Sequence, residues 1–220
     1  MDINWLGAGC FRIRSREATI LTDPYSLEGG LPRGTTADIV TVSREKAEGF
    51  LPTIALTTRA GDPPPSPGDG PRVLFGPGEY EVRDVLITGI RTFRDAVKGE
   101  ERGRNTVYLM DTEGMTLCHL GELGHAPTAD QMEGIGRVDI LLVPVATAGG
   151  LTPAKAAEIV ALVSPKIVIP MALPDTAEDS MALFLKEMNA AESQPVNRLS
   201  LQRANLPEVT TVTLLEARTS

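Results

Sequence analysis

The sequence predicts two packed β-sheets with helices on the outside, an architecture of the α+β or α/β class. Two patterns carry this expectation. The first half breaks into short strand-like runs separated by turn residues, and the second half alternates continuous apolar runs with capped helical segments. Size is the third observation: 220 residues, 42% of them hydrophobic, suffice for one sizeable core, so a single compact domain over 1–220 is expected.

Strands are expected first over Ile3–Leu6, Cys10–Arg14, Ala18–Thr22, Asp38–Val42 and Thr53–Thr58. The alternation Phe11-Arg12-Ile13-Arg14 turns one face inward and the other to water. Residues 61–70, with four prolines and three glycines, read as a surface loop, because proline removes ladder donors and glycine costs backbone entropy. Further strands are expected over Val73–Phe75, Asp84–Thr92, Thr106–Asp111 and Met115–Leu120.

In the second half, Thr128 with Gln131 three residues on forms a capping box that opens a short helix. Val138–Val145 is a continuous apolar run, the pattern of a strand covered on both faces. Thr152-Pro153 supplies an N-cap and an N1 proline for a helix through Leu162, and Lys166–Pro170 is another buried strand. Asp175 followed by Glu178 predicts a helix from Thr176 to Asn189, with Met181, Phe184, Leu185 and Met188 at helical spacing on its core face. A last strand is expected over Val209–Leu215.

Charge excludes some functions. With 21 Lys+Arg against 29 Asp+Glu the net charge is -8, which argues against a nucleic-acid binder or an anionic-membrane binder, since either needs a basic face. A local basic pocket for a small anionic ligand stays open, as does a homo-oligomer. The start Met1-Asp2-Ile3-Asn4-Trp5 has no basic-then-apolar leader, and no apolar stretch approaches the ~20 residues of a membrane span. Cys10 and Cys118 lie in apolar runs and form no Cys-x-x-Cys pair, so two buried thiols in a cytoplasmic, reduced protein are expected.

Several stretches go beyond pattern. Trp5-Leu6-Gly7-Ala8-Gly9-Cys10-Phe11 and Leu21-Thr22-Asp23-Pro24 are followed by Gly76-Pro77-Gly78-Glu79-Tyr80-Glu81-Val82 and Arg102-Gly103-Arg104-Asn105-Thr106. Then come His119-Leu120-Gly121-Glu122-Leu123-Gly124-His125, the run 138–145, and Pro165-Lys166-Ile167-Val168-Ile169-Pro170-Met171. Together and in this order they resemble the metallo-β-lactamase superfamily, in its small single-domain branch of candidate zinc-dependent hydrolases akin to the ascorbate-phosphate lactonases. The resemblance implies an α+β fold, an αββα four-layer sandwich.

It also implies a metal site, and there the sequence departs. The family sets a His-x-His-x-Asp-His cluster after the strand matching Ala37–Val42, because two close metal ions need neutral imidazoles and a carboxylate. Here the three histidine places carry Arg44, Lys46 and Gly49, and the aspartate place carries Glu48. The family's next histidine falls on Arg94, its bridging aspartate on Glu122, its last histidine on Ala172, and the histidine usual after Leu6-Gly7 is Ala8. Arginine stays protonated and lysine must give up a proton before it ligates. The chain holds only two histidines, His119 and His125. Zinc, the family's expected cofactor, therefore lacks its ligands, and no cofactor is expected.

The resemblance places Asp23, Asp95 and Asn105 at positions that shape or border the pocket. His119 sits on a strand and His125 in a loop nearer the site. Each has a plain alternative: a buried hydrogen bond for His119, a solvated loop for His125, strand-end or turn roles for the others. Gly7-Ala8-Gly9 lacks the third glycine of a phosphate fingerprint and opens no helix, and no Gly-x-Ser-x-Gly elbow occurs.

Glu48, Glu122 and Asp23 would repel one another once two dications were gone. Three readings of the cations stand open: an ion-pair plug by Arg44, Lys46 and Arg94, an anion pocket built by the same residues, or a loop released to solvent. The expected function is that of a non-catalytic binding or assembly protein. The alternative is a hydrolase working with one non-zinc metal, or none, at Asp23, Glu48, Asp95, Glu122 and His125.

Overall fold

The computed structural model describes residues 1–45, 47, 51, 54–56 and 69–218. The first half supplies β1 (Asp2–Gly7), β2 (Cys10–Arg14), β3 (Thr19–Thr22), β4 (Thr36–Ala37), β5 (Ile39–Val42), β6 (Ala55–Leu56) and β7 (Arg72–Phe75). Next come β8 (Gly78–Val82), β9 (Val85–Phe93), β10 (Arg104–Thr112), β11 (Met115–His119), α1 (Ala129–Ile135) and β12 (Ile140–Pro144). The chain closes with α2 (Pro153–Val163), β13 (Ile167–Met171), α3 (Ser180–Glu187), β14 (Leu199–Ser200) and β15 (Thr211–Val212).

One sheet runs β14-β1-β2-β3-β5-β7 and the other β15-β13-β12-β11-β10-β9-β8, with a small β4-β6 pair. The α+β sandwich expected from the sequence is therefore present. Phe11, Ile13, Ile20 and Ile39 of the first sheet pack against Ile87, Met110, Leu117, Leu142 and Ile169 of the second. The period-2 alternation of β2 thus feeds an inter-sheet core. The other face of the second sheet, with Val107, Leu141 and Val168, is covered by Ile135 of α1, Ile159 and Val160 of α2, and Phe184 of α3. The parallel strands β12 and β13 are buried at every residue because both faces are covered. Outside the first sheet, Val40 and Val42 are covered by Tyr25, Leu27, Leu31 and Ile54, so among the described residues that outer layer is coil and a 3-10 turn at Pro24–Ser26 rather than helix.

The capping box forms as the sequence predicts: Thr128 Oγ1 accepts from Gln131 N, and Gln131 Oε1 accepts from Thr128 N at 2.9 Å. Three expectations need correction. Strand β8 was unforeseen, since Gly78 adopts φ +157 and the Gly-Pro-Gly start reads as a turn, yet Glu79–Val82 pair along β9. Helix α3 starts at Ser180, not Thr176, because the Thr176 hydroxyl accepts from Leu173 N and donates to Ala146 O, fixing a turn there. The last strand shrinks to Thr211–Val212, while Val196 bridges Leu215 outside the ladder and β14 adds an edge to β1. Of the strand expected over 53–58, Ala55–Leu56 is present. Ile54 lies outside the strand, and 53, 57, 58 and 61–68 of the proline-rich loop lie outside the described residues.

Candidate functional site

The ends of β3, β5, β11 and the β9–β10 connection meet at one edge of the sandwich. Asp23 follows β3 in a left-handed conformation, φ 39 and ψ 51, and is 1% exposed. Its Oδ1 accepts from Ser43 N at 2.7 Å, and its Oδ2 accepts a short hydrogen bond from Ser43 Oγ. Burial pushes the Asp23 carboxyl up to about 7, the Ser43 donors oppose this, and the charge of Glu122 adds to it. The Tyr25 hydroxyl links the two carboxylates, lying 3.1 Å from Ser43 Oγ and 3.2 Å from Glu122 Oε1.

Glu122 is held from its backbone outward. Its N–H donates to Asn105 Oδ1 at 2.9 Å, while Asn105 Nδ2 donates to Thr92 Oγ1 and Leu120 O. Gly121, at φ +60, leaves room for this: a Cβ there would stand 2.5 Å from Ser43 Cβ and 2.6 Å from Asn105 Oδ1. Two guanidinium groups converge on the carboxylate. Arg94 donates from Nε to Oε2 at 2.7 Å, with Nη2 2.6 Å from the same oxygen. Arg44 donates from Nη2 to Oε2 at 3.3 Å, and its cation lies 5.7 Å from the Tyr25 ring centre. Arg44 Nε is 3.2 Å from Oε1, within ion-pair reach, but poorly aligned, so it makes no hydrogen bond.

Arg94 is fixed at both ends. Its Nη1 donates to Arg102 O at 2.6 Å, and its backbone carbonyl is pressed against Gly149 and Gly124. A Cβ on Gly149 would fall 1.6 Å from that oxygen, and one on Gly124 2.3 Å from it. Asp95 shapes the loop that returns to Arg102: it accepts from the N–H groups of Val97, Gly99, Glu101 and Arg102. Burial pushes the Asp95 carboxyl up, but those donors outweigh it and hold its pKa below the ordinary value.

Two expectations about pocket residues are corrected. Asp95 does not face the cleft, because both its oxygens are spent on its own loop. His119 does not line it either: it is fully buried and packs edge-on to Phe11, with ring centres 6.2 Å apart. Neither ring nitrogen makes a well-formed hydrogen bond. Burial pulls its pKa down to about 3, with the Gly9 carbonyl opposing only in part. His125 Nε2 accepts from Phe93 N at 3.2 Å, so Nδ1, 2.7 Å from Ala126 O, carries the proton. Ala8 and Ala172 line a shallow cavity of about 290 Å³, which shares Leu27 and Leu173 with a cavity of about 300 Å³ beside Tyr25, Arg44 and Glu122. Lys46, Glu48 and Gly49 lie outside the described residues. Cys10 and Cys118 are buried free thiols, as the sequence predicts. Sequence reasoning missed Tyr25, Ser43 and Arg102, although Ser43 directly follows a buried strand beside Asp23, a signal that was there to be read.

These donors do not fit a metal pair. Both Glu122 oxygens face guanidinium groups, both Asp23 oxygens accept from Ser43, and positions 8, 44, 94 and 172 carry no ligating atom at neutral pH. Among the described residues no three His, Cys, Asp or Glu side chains converge to hold an ion. The profile of the β-lactamase superfamily domain matches residues 2–172. The chain belongs to this superfamily. A candidate Zn-dependent hydrolase of the metallo-β-lactamase superfamily from Thermotoga maritima is 31% identical, with 97% of each chain covered and a TM-score of 0.74. A UPF0173 protein of Pyrococcus furiosus is 27% identical over 206 residues, 86% of this chain and 90% of that protein. A candidate metal-dependent hydrolase from Parabacteroides distasonis shares the fold, at 17% identity and a TM-score of 0.60. Within the described residues no helix is long and apolar enough to cross a membrane.

Proposed function

We propose that this β-lactamase superfamily member is a non-catalytic binding or assembly protein, whose metal site has been replaced by an ion-pair plug. The observation that carries the reading is the convergence of Arg44 and Arg94 on Glu122, three of the positions where the family resemblance places metal ligands. Two guanidinium groups supply half the positive charge of two dications, enough to offset Glu122, and they cannot activate water. A zinc ion lowers the pKa of bound water to about 7, whereas a lone carboxylate base contributes only about 10²–10⁴-fold. The chain acts as one domain over 1–220, supported by β14 and β15, which extend one sheet each beyond the matched residues.

The test is turnover with and without added zinc or manganese on lactone, β-lactam and phosphodiester substrates. No rate above background is expected. Hydrolysis by the wild type that disappears in Glu122→Ala shows a rebuilt catalytic site and overturns the proposal. As a positive control, combining Arg44→His, Lys46→His, Gly49→His, Arg94→His, Ala172→His, Glu48→Asp and Glu122→Asp is expected to create metal binding.

A further inference from the structure

A third cavity, of about 160 Å³, is lined by residues at the ends of β5 and β7 and by residues of β9 and β10. Arg44 lines both it and the cleft beside Glu122. We propose that this cavity binds a small oxyanion carried on an apolar body, a carboxylate or phosphate ester of an aromatic or alkyl group.

The register of β9 and β10 sets up its charge. Arg91 lies opposite Thr106, and Phe93 opposite Arg104. Arg91 and Arg104 are thus diagonal neighbours on one face, roughly 7–8 Å apart at their backbones. Like charges that close repel unless something negative sits between them. One carboxylate serves Arg104 alone: Glu45 Oε1 is 3.3 Å from Arg104 Nη1, and both side chains are exposed, at 41% and 55%. The Arg91 guanidinium has no partner among the described residues, while Arg44 is committed to Glu122. In a chain with 29 acidic against 21 basic residues, a cavity walled by three arginines and one glutamate is a local reversal of sign. Planar guanidinium groups in that arrangement suit a two-oxygen or three-oxygen anion.

The apolar lining comes from Pro77 and from Phe75, which at 36% exposure is a large hydrophobic side chain left partly in water. An inorganic ion would use the arginines alone; a ligand with an apolar body also covers Phe75. The site meets the proposed plug only at Arg44, and the test turns on Arg91 and Arg104, so it is independent of whether the protein hydrolyses anything.

The experiment is titration of the full chain, by calorimetry and by amide shifts, with phenyl phosphate, benzoate, inorganic phosphate and benzyl alcohol. Phenyl phosphate and benzoate are expected to bind one per chain, with shifts centred on Phe75, Arg91 and Arg104. Inorganic phosphate and benzyl alcohol are each expected to bind about tenfold more weakly or worse. Arg91→Gln with Arg104→Gln is expected to weaken phenyl phosphate about tenfold or more. Phe75→Ala weakens phenyl phosphate but leaves inorganic phosphate unchanged, and the distant Arg198→Gln changes neither. If the double variant does not fold, each single substitution carries the same readout. No saturable binding, equal affinity for phenyl and inorganic phosphate, or an unchanged affinity without the two arginines overturns the proposal.

Discussion

Arg94 Nη2 stands 2.6 Å from Glu122 Oε2, with side-chain exposures of only 12% and 15%. An ion pair so shielded is worth little net against an apolar pair, because desolvation offsets most of the attraction, but breaking it strands a charge. Glu122→Gln is therefore expected to destabilise the protein by about 2–4 kcal/mol. Adding Arg94→Gln is expected to cost less than the sum of the two single changes. Urea unfolding of the four species checks this, and strict additivity contradicts the pairing.

The slot around the Arg94 carbonyl gives a second test. Gly149→Ala places a methyl 1.6 Å from that oxygen by ideal geometry, and backbone on both sides leaves no flexible side chain to give way. The expected outcome is a loss of about 1–3 kcal/mol, or more, seen as a melting temperature lower by roughly 2–4 °C per kcal/mol for a chain of this size. An unchanged melting temperature would mean that Arg94 is not held there.

Two buried groups predict opposite pH slopes. The Asp23 carboxyl is raised to about 7 in the fold, above about 3.9 in the unfolded chain. Its contribution is full below about pH 4 and is lost as pH rises through 7. His119 is pulled down to about 3, below about 6.5 unfolded, so its contribution is present above about pH 6.5 and is lost as pH falls towards 3. Relative to wild type, Asp23→Asn is expected to make stability climb more steeply from pH 4 to 7, and His119→Leu to make it climb less steeply. Urea midpoints across that range read both. Profiles parallel to wild type contradict the assignment.

The sandwich and most of its strands were legible because period-2 alternation and doubly buried runs are local signals, as in Phe11–Arg14 and Ile140–Pro144. The α1 cap was legible for the same reason. Where backbone groups decide, sequence was silent. Nothing in the letters says that Asp95 collects four N–H groups of its own loop, or that Thr176 spends its hydroxyl on Leu173 and Ala146. The pairing of Arg44 with Glu122 was legible as charge compensation. The glycines that seat Arg94 were not, since a close approach between distant segments leaves no pattern along the chain.

Metal content decides whether the ion-pair plug replaces the metals. Protein grown with zinc, manganese and iron, then dialysed without chelator, is expected to carry far less than one ion of any of them per chain by elemental analysis, because the carboxylates present already face arginine or serine donors. About one or more tightly held ions per chain, retained by the wild type and released by Glu122→Ala, would contradict it.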